Sequence, residues 1–351
     1  MFQGYFGGAI VKKSVIQPLK RVNYNTVKFE SSKSGCNQNH FKMAIILLHR
    51  NTDNVNELLA KLEKDKTKIG PAFAKATLGL GKMDVDSDIF PINVDEKDVV
   101  LDYYANQPEW IDKEVDPVKV SKIFYETHKD DYDFLVFAKS FETVMKASQY
   151  FPIKAIVEGI GLPTFNWAAF YGSQGKLLGE VILQTHFEGY LFVDTLFHEI
   201  GHLHCCFAGD PFSRGKNNAK LEIRDTNAHL VYPGSPYPSY SLMGAMHWEP
   251  NNDGTYRIEN KPNSSPPPMY HPFELYFMGL LPKEEYGKKY PVYDRGINGV
   301  EEDKSQNATL YKQVSVNDII AVMGERKCIE LQPLYFPFNG WFRRFELKGF
   351  S

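Results

Sequence analysis

Hydrophobic positions fall along this chain in two rhythms, and its second half follows neither for long. Residues 42–49, Lys-Met-Ala-Ile-Ile-Leu-Leu-His, form a continuous apolar run of strand length, as do residues 132–137 and 180–185. Short runs without a polar face suit strands buried on both sides. Between them, residues 54–64 place Leu58, Leu59 and Leu62 at helical spacing with charges opposite, and residues 118–127 read as a second helix. Strands alternating with helices predict an α/β (α+β) fold with a twisted mixed sheet. Further on, residues 271–281 predict a helix with Pro272 in its first turn, Gly279 near its end and a stripe of Phe273, Tyr276, Phe277 and Leu280. A short helix is expected over 318–323, bracketed by Asn317 and Gly324. Residues 325–351 read as further strands.

The helix that matters most carries Leu196-Phe197-His198-Glu199-Ile200-Gly201-His202. Asp194 or Thr195 is the expected N-cap, and Gly209-Asp210-Pro211 the expected stop. Leu196, Phe197, Ile200 and Leu203 supply the apolar side, so the helix should be mostly buried with one polar face turned to a cleft. Beyond it, Pro, Gly, Asn, Ser and Tyr dominate. Residues 232–240, Tyr-Pro-Gly-Ser-Pro-Tyr-Pro-Ser-Tyr, and the proline-rich 263–268 exclude long helices and central strands there. These loops would form the second wall of the cleft, with Tyr232, Tyr237 or Tyr240 available to hydrogen-bond a reacting group; packing of proline-rich loops is the commoner use of such tyrosines.

On a helix, residues four apart sit one above the other, so His198 and His202 can present both rings to one ion. Glu199, about 100° further round, lies beside that ion, where its carboxylate can take a proton from water and pass it to a leaving amine. This HExxH spacing is a zinc motif, and its chemistry is metal-assisted hydrolysis. A catalytic zinc takes a third protein ligand and keeps one open position. His204 points about 200° away from His202 and reads as a packing or surface residue. Asp210, Asp225, His229 and His247 all remain open as the third ligand on spacing alone.

The residues HEIGH at 198–202 resemble the zincin metallopeptidases, and Ser241-Leu242-Met243-Gly244 resembles the methionine turn of metzincins, which would put Met243 beneath the zinc. The metzincin pattern also has a glycine and a histidine three and six residues after the second ligand; here Cys205 and Ala208 stand there, so the standard third ligand is absent. A wider resemblance, over roughly residues 130–325, adds a histidine at the place of His229, the Asn252-Asp253-Gly254-Thr255 turn and the Pro272–Pro282 segment. It is to a group of poorly characterised, mostly extracellular zincin-like proteins. That resemblance implies His198, His202 and His229 as ligands of Zn2+, Glu199 as general base, a peptide or protein substrate, and a secreted or extracellular setting. It implies also that the strand at 180–185 borders the cleft and pairs with extended peptide by β-augmentation. The alternative is a catalytically silent zincin-like adhesion or recognition protein. The implied organisation is an N-terminal extension (1–42), a zincin-like domain (43–325) with upper (43–209) and lower (210–325) subdomains, and a C-terminal segment (326–351).

Length and charge narrow the partners. The 351 residues, 43% of them hydrophobic, can bury a sizeable core. A net charge of −3 argues against nucleic acid, and no apolar run is long enough for a transmembrane segment. Met1–Val11 lacks the basic start and cleavage site of a signal peptide. Cys36, Cys205, Cys206 and Cys328 are too scattered for a disulfide framework, and Cys205 and Cys206 read as packing residues. Asn263 and Asn307 open glycosylation sequons, relevant in a secretory pathway.

Overall fold

The computed structural model describes residues 38–102, 113–144, 147–184, 190–207, 223, 228–259, 268–294 and 305–329. In chain order, β1 (His40–His49) leads through α1 (Val55–Ala76) to β2 (Lys82–Asn93) and the one-turn α2 (Val94–Lys97). The paired strands β3 (Val100–Asp102) and β4 (Lys113–Val115) precede α3 (Pro117–Thr127), β5 (Phe134–Lys139) and β6 (Gln149–Pro152). Three short strands, β7 (Lys154–Ala155), β8 (Val157–Glu158) and β9 (Phe165–Asn166), lead to β10 (Gly179–Leu183) and α4 (Tyr190–Gly201). The remaining elements are β11 (Trp248–Pro250), β12 (Tyr256–Ile258), α5 (Pro272–Phe277), β13 (Tyr290–Tyr293), β14 (Leu310–Val314), α6 (Val316–Met323) and β15 (Lys327–Cys328).

The fold is mixed α/β, with six α-helices among the described residues and a five-stranded mixed sheet of order β2-β1-β5-β10-β6. β2, β1, β5 and β10 run parallel, and β6 pairs antiparallel with β10 at the edge. Alternation along β1 divides the core in two. Met43, Ile45 and Leu47 join the cluster of α1 and α4, whereas Ala44, Ile46 and Leu48 join the cluster of α3. The interior of β1 is therefore apolar on both faces, as its unbroken apolar run requires. None of the described helices is long and apolar enough to cross a membrane.

Local chemistry explains where elements begin and end. Asn54 caps α1 by accepting from Glu57 N. The helix then passes Pro71 and continues to Ala76, well beyond the expected 64, because Ile69 and Phe73 are fully buried. Burying each is worth about 1.5–3 kcal/mol, which offsets much of the cost of an interior proline. The expected helix over 271–281 is shorter, Pro272–Phe277, with His271 and Glu274 forming a capping box. α6 starts earlier than expected because Ser315, paired with Asp318, is its cap, and Asn317 lies inside it. The expected cleft-bordering strand is interior: β10 lies between β5 and β6, and among the described residues β6 is the edge on that side. Val181, Ile182 and Leu183 are buried between neighbouring strands, and the short Gln149–Pro152 was not legible as a strand.

Candidate metal centre

α4 begins at Tyr190, so Asp194 and Thr195 lie inside it rather than capping it. Phe192, Val193, Leu196, Phe197 and Ile200 are buried against the sheet. A 100° step per residue puts Asp194, Thr195, His198 and His202 on the opposite side, where all four are half-buried. The α-helix closes at Gly201. His202, Leu203 and His204 continue through i→i−3 bonds, His202 N to Glu199 O at 3.0 Å and Leu203 N to Ile200 O at 3.0 Å. The expected stop at Gly209-Asp210-Pro211 lies outside the described residues.

Three imidazoles meet beside this turn. Ring centroids are 5.0 Å apart for His198 and His202, 5.1 Å for His198 and His229, and 5.3 Å for His202 and His229. One ligand atom from each lies within 4.8 Å of the others. His198 Nδ1 lies 2.7 Å from Leu242 O. A carbonyl only accepts, so Nδ1 carries the proton and Nε2 keeps its lone pair, the tautomer a metal requires.

His229 reaches the site because its chain neighbours are fastened on both sides. Cys206 N donates to Ala228 O at 2.9 Å, and Leu230 N donates to Met243 O at 2.5 Å. Ala228 adopts the left-handed region at φ 60°, a conformation costing an alanine about 1–2 kcal/mol, so the fastening bends the chain to place the histidine. Met243 is completely buried under the end of α4: a Cβ on Gly201 would collide with its sulfur. Gly244, at φ 100°, turns the chain beside His229 Cβ.

This turn is anchored from α5. Glu274, fully buried, accepts from Ser241 Oγ at 2.6 Å and from His271 N at 2.8 Å, and the Met243 N–H also favours its charged form. Burial nevertheless pushes its carboxyl up to about 8. Tyr270 ties the same layer to α4, its hydroxyl donating to Phe197 O at 2.7 Å. Sequence reasoning took 271–281 as apolar support and missed Glu274; the signal was its acid inside Phe273-Glu274-Leu275 at a capping-box spacing from His271.

Glu199 is 7% exposed, and burial pushes its carboxyl up to about 7, while His229 and the backbone N–H of Tyr150 pull it down. The carboxylate therefore sits between the histidine cluster and the edge strand β6. Of the tyrosines, Tyr237 is engaged, its hydroxyl donating to Tyr270 O at 3.2 Å, and Tyr232 packs on the core. Tyr240 is the exposed one; burial and the nearby Asp194 carboxylate raise its hydroxyl pKa, which places it at the rim one turn before His198.

Among the residues left open by spacing, His247 groups with Glu249 and Glu259 instead, and Asp210 and Asp225 lie outside the described residues. His204 is turned away as expected; burial drives its imidazole down to about 3, leaving it neutral. Cys205 and Cys206, expected as separate packing residues, are joined in a disulfide within the tight turn after α4, and both are buried. Compared with known proteins, the chain matches no family model and no curated protein.

Proposed function

We propose that this protein is a zinc-dependent metallopeptidase of the zincin kind, with His198, His202 and His229 as the metal ligands. The observation that carries this reading is the three-imidazole cluster with Glu199 beside it and His198 Nε2 turned inward by the Leu242 carbonyl. The donor set fits: three neutral nitrogens suit zinc and leave a fourth position open. Zinc bound there would supply Lewis acidity, acidifying a water and polarising a carbonyl.

The chain's own groups do the rest. An extended peptide lies along the β6 edge beside Glu199, a cleft-bordering position that β10, interior to the sheet, does not have. Glu199 takes the proton of the attacking water on its carboxylate and returns it to the leaving amine. Met243 and the Glu274 anchor hold Leu242 and His229 in place. An extracellular setting belongs to this reading.

The test combines zinc content with hydrolysis of a peptide library. Wild type should bind zinc and cleave, and His202→Ala and His229→Ala should lose the metal of this site. Glu199→Gln should keep zinc while activity falls at least about 100-fold. Bound zinc without any cleavage would favour a silent recognition scaffold, and folded wild type without zinc at the triad would overturn the proposal.

A further inference from the structure

A second group of metal-binding side chains lies on the ribbon that follows the Met243 turn. In β11 and β12, Trp248 opposes Ile258 and Glu249 opposes Arg257. Glu259 N donates to His247 O at 3.0 Å, which extends the ladder one step and brings Glu259 opposite His247. Opposed residues share a face of an antiparallel ribbon, and so do residues two apart. His247, Glu249 and Glu259 therefore stand together on one side. The other side is fixed by packing: Trp248 stacks on Tyr293 at 4.7 Å and buries with Ala308.

The three side chains converge, one ligand atom of each lying within 4.8 Å of the others. His247 Nε2 is 3.0 Å from Glu249 Oε1, while His247 Nδ1 is buried without a hydrogen bond. Arg257, opposite Glu249, is held by the turn: its Nη1 donates to Asn251 Oδ1 at 2.8 Å and to Pro250 O at 3.3 Å. Two carboxylates on one face of a ribbon repel, and a bound cation removes that repulsion.

We propose that His247, Glu249 and Glu259 bind a divalent transition-metal ion of the zinc class, separate from the histidine triad. An imidazole beside two carboxylates is a borderline donor set, which suits zinc better than calcium with its six to eight oxygens. The role is structural. All three ligands come from the two strands of one ribbon, so an ion here locks those strands together, next to Met246, whose carbonyl accepts from Ser235 N at 2.7 Å.

Full-length protein, stripped of metal and dialysed against zinc, should hold two equivalents by elemental mass spectrometry. His198→Ala/His202→Ala should retain one, and His247→Gln/Glu249→Gln should retain one. An unchanged zinc content in the second variant, or none in a folded first variant, overturns this site. Loss confined to the triad variant leaves the triad standing alone; loss confined to the ribbon variant sinks the peptidase reading instead. If the ribbon variant fails to fold, wild type decides: diethyl pyrocarbonate should modify His247 at least fivefold less with zinc than without, and equal modification refutes the site.

Discussion

Two buried Glu and Ser pairs lie on opposite sides of the central sheet, and they are built in opposite ways. In front, Ser241 donates to Glu274 at 2.6 Å, and Ala245 N donates back to Ser241 Oγ at 2.9 Å. Behind, Glu180 of β10 faces Ser121 of α3, whose hydroxyl is near enough to lower its pKa, but among the described residues neither carboxyl oxygen nor Ser121 Oγ has a partner in good hydrogen-bond geometry. All four residues are 0% exposed, so burial is equal and only partnership differs. A partnered buried acid fixes the geometry of a loop; an unpartnered one makes the core sensitive to its proton.

Removing the front acid is the largest break. Glu274→Ala leaves the Ser241 hydroxyl and the His271 and Met243 N–H groups facing a cavity, at about 1–3 kcal/mol for each lost acceptor. With partial relaxation, urea unfolding should show a loss of about 4 kcal/mol. Zinc binding at the triad should weaken with it, since Leu242 and Met243 belong to the turn that Glu274 holds. A loss under 1 kcal/mol would show that the turn stands without its anchor.

The rear acid should act through pH. Burial raises the Glu180 carboxyl well above its ordinary 4.5, and Asp116 pushes it the same way; Tyr125 and Tyr171 line the same side of the sheet. A raised carboxyl means the folded chain holds a proton that the unfolded chain has released. Its contribution is complete below 4.5 and declines as pH rises toward the folded value, by about 1.4 kcal/mol per pH unit at most. Glu180→Gln should flatten that slope between pH 5 and 8 in denaturant titrations. An unchanged slope would assign the pH dependence elsewhere.

The same contrast explains what was legible in the sequence. Buried parallel strands announce themselves as apolar runs, so β1, β5 and β10 could be placed, and residues 54–64 and 118–127 were legible as the helices that became α1 and α3. HExxH fixed the spacing of His198, Glu199 and His202. His229 was favoured by family resemblance, since its placement depends on the hydrogen bonds of Ala228 and Leu230 to distant segments. β2 escaped notice because Lys82–Asn93 is half-exposed, interrupted by polar residues and pairs with β1 across a register shift. A partner is a tertiary fact: neither Glu274 nor Glu180 reveals from its neighbours in sequence which one is bonded.

The serines give the finest version of the test, because each substitution removes one oxygen and leaves the acid in place. Ser241→Ala deprives Glu274 of a donor and Ala245 N of its acceptor, so about 2 kcal/mol should be lost in urea unfolding. Ser121→Ala removes a hydroxyl that is already buried without a hydrogen bond, so stability should stay within about 0.5 kcal/mol of wild type or rise slightly. Run together, the pair measures partnership at constant burial. Equal losses would mean that Ser121 does hold Glu180 in solution, and the distinction between the two faces would then rest on the acids' other donors, the N–H groups of His271 and Met243 that Glu180 has no counterpart for among its hydrogen bonds.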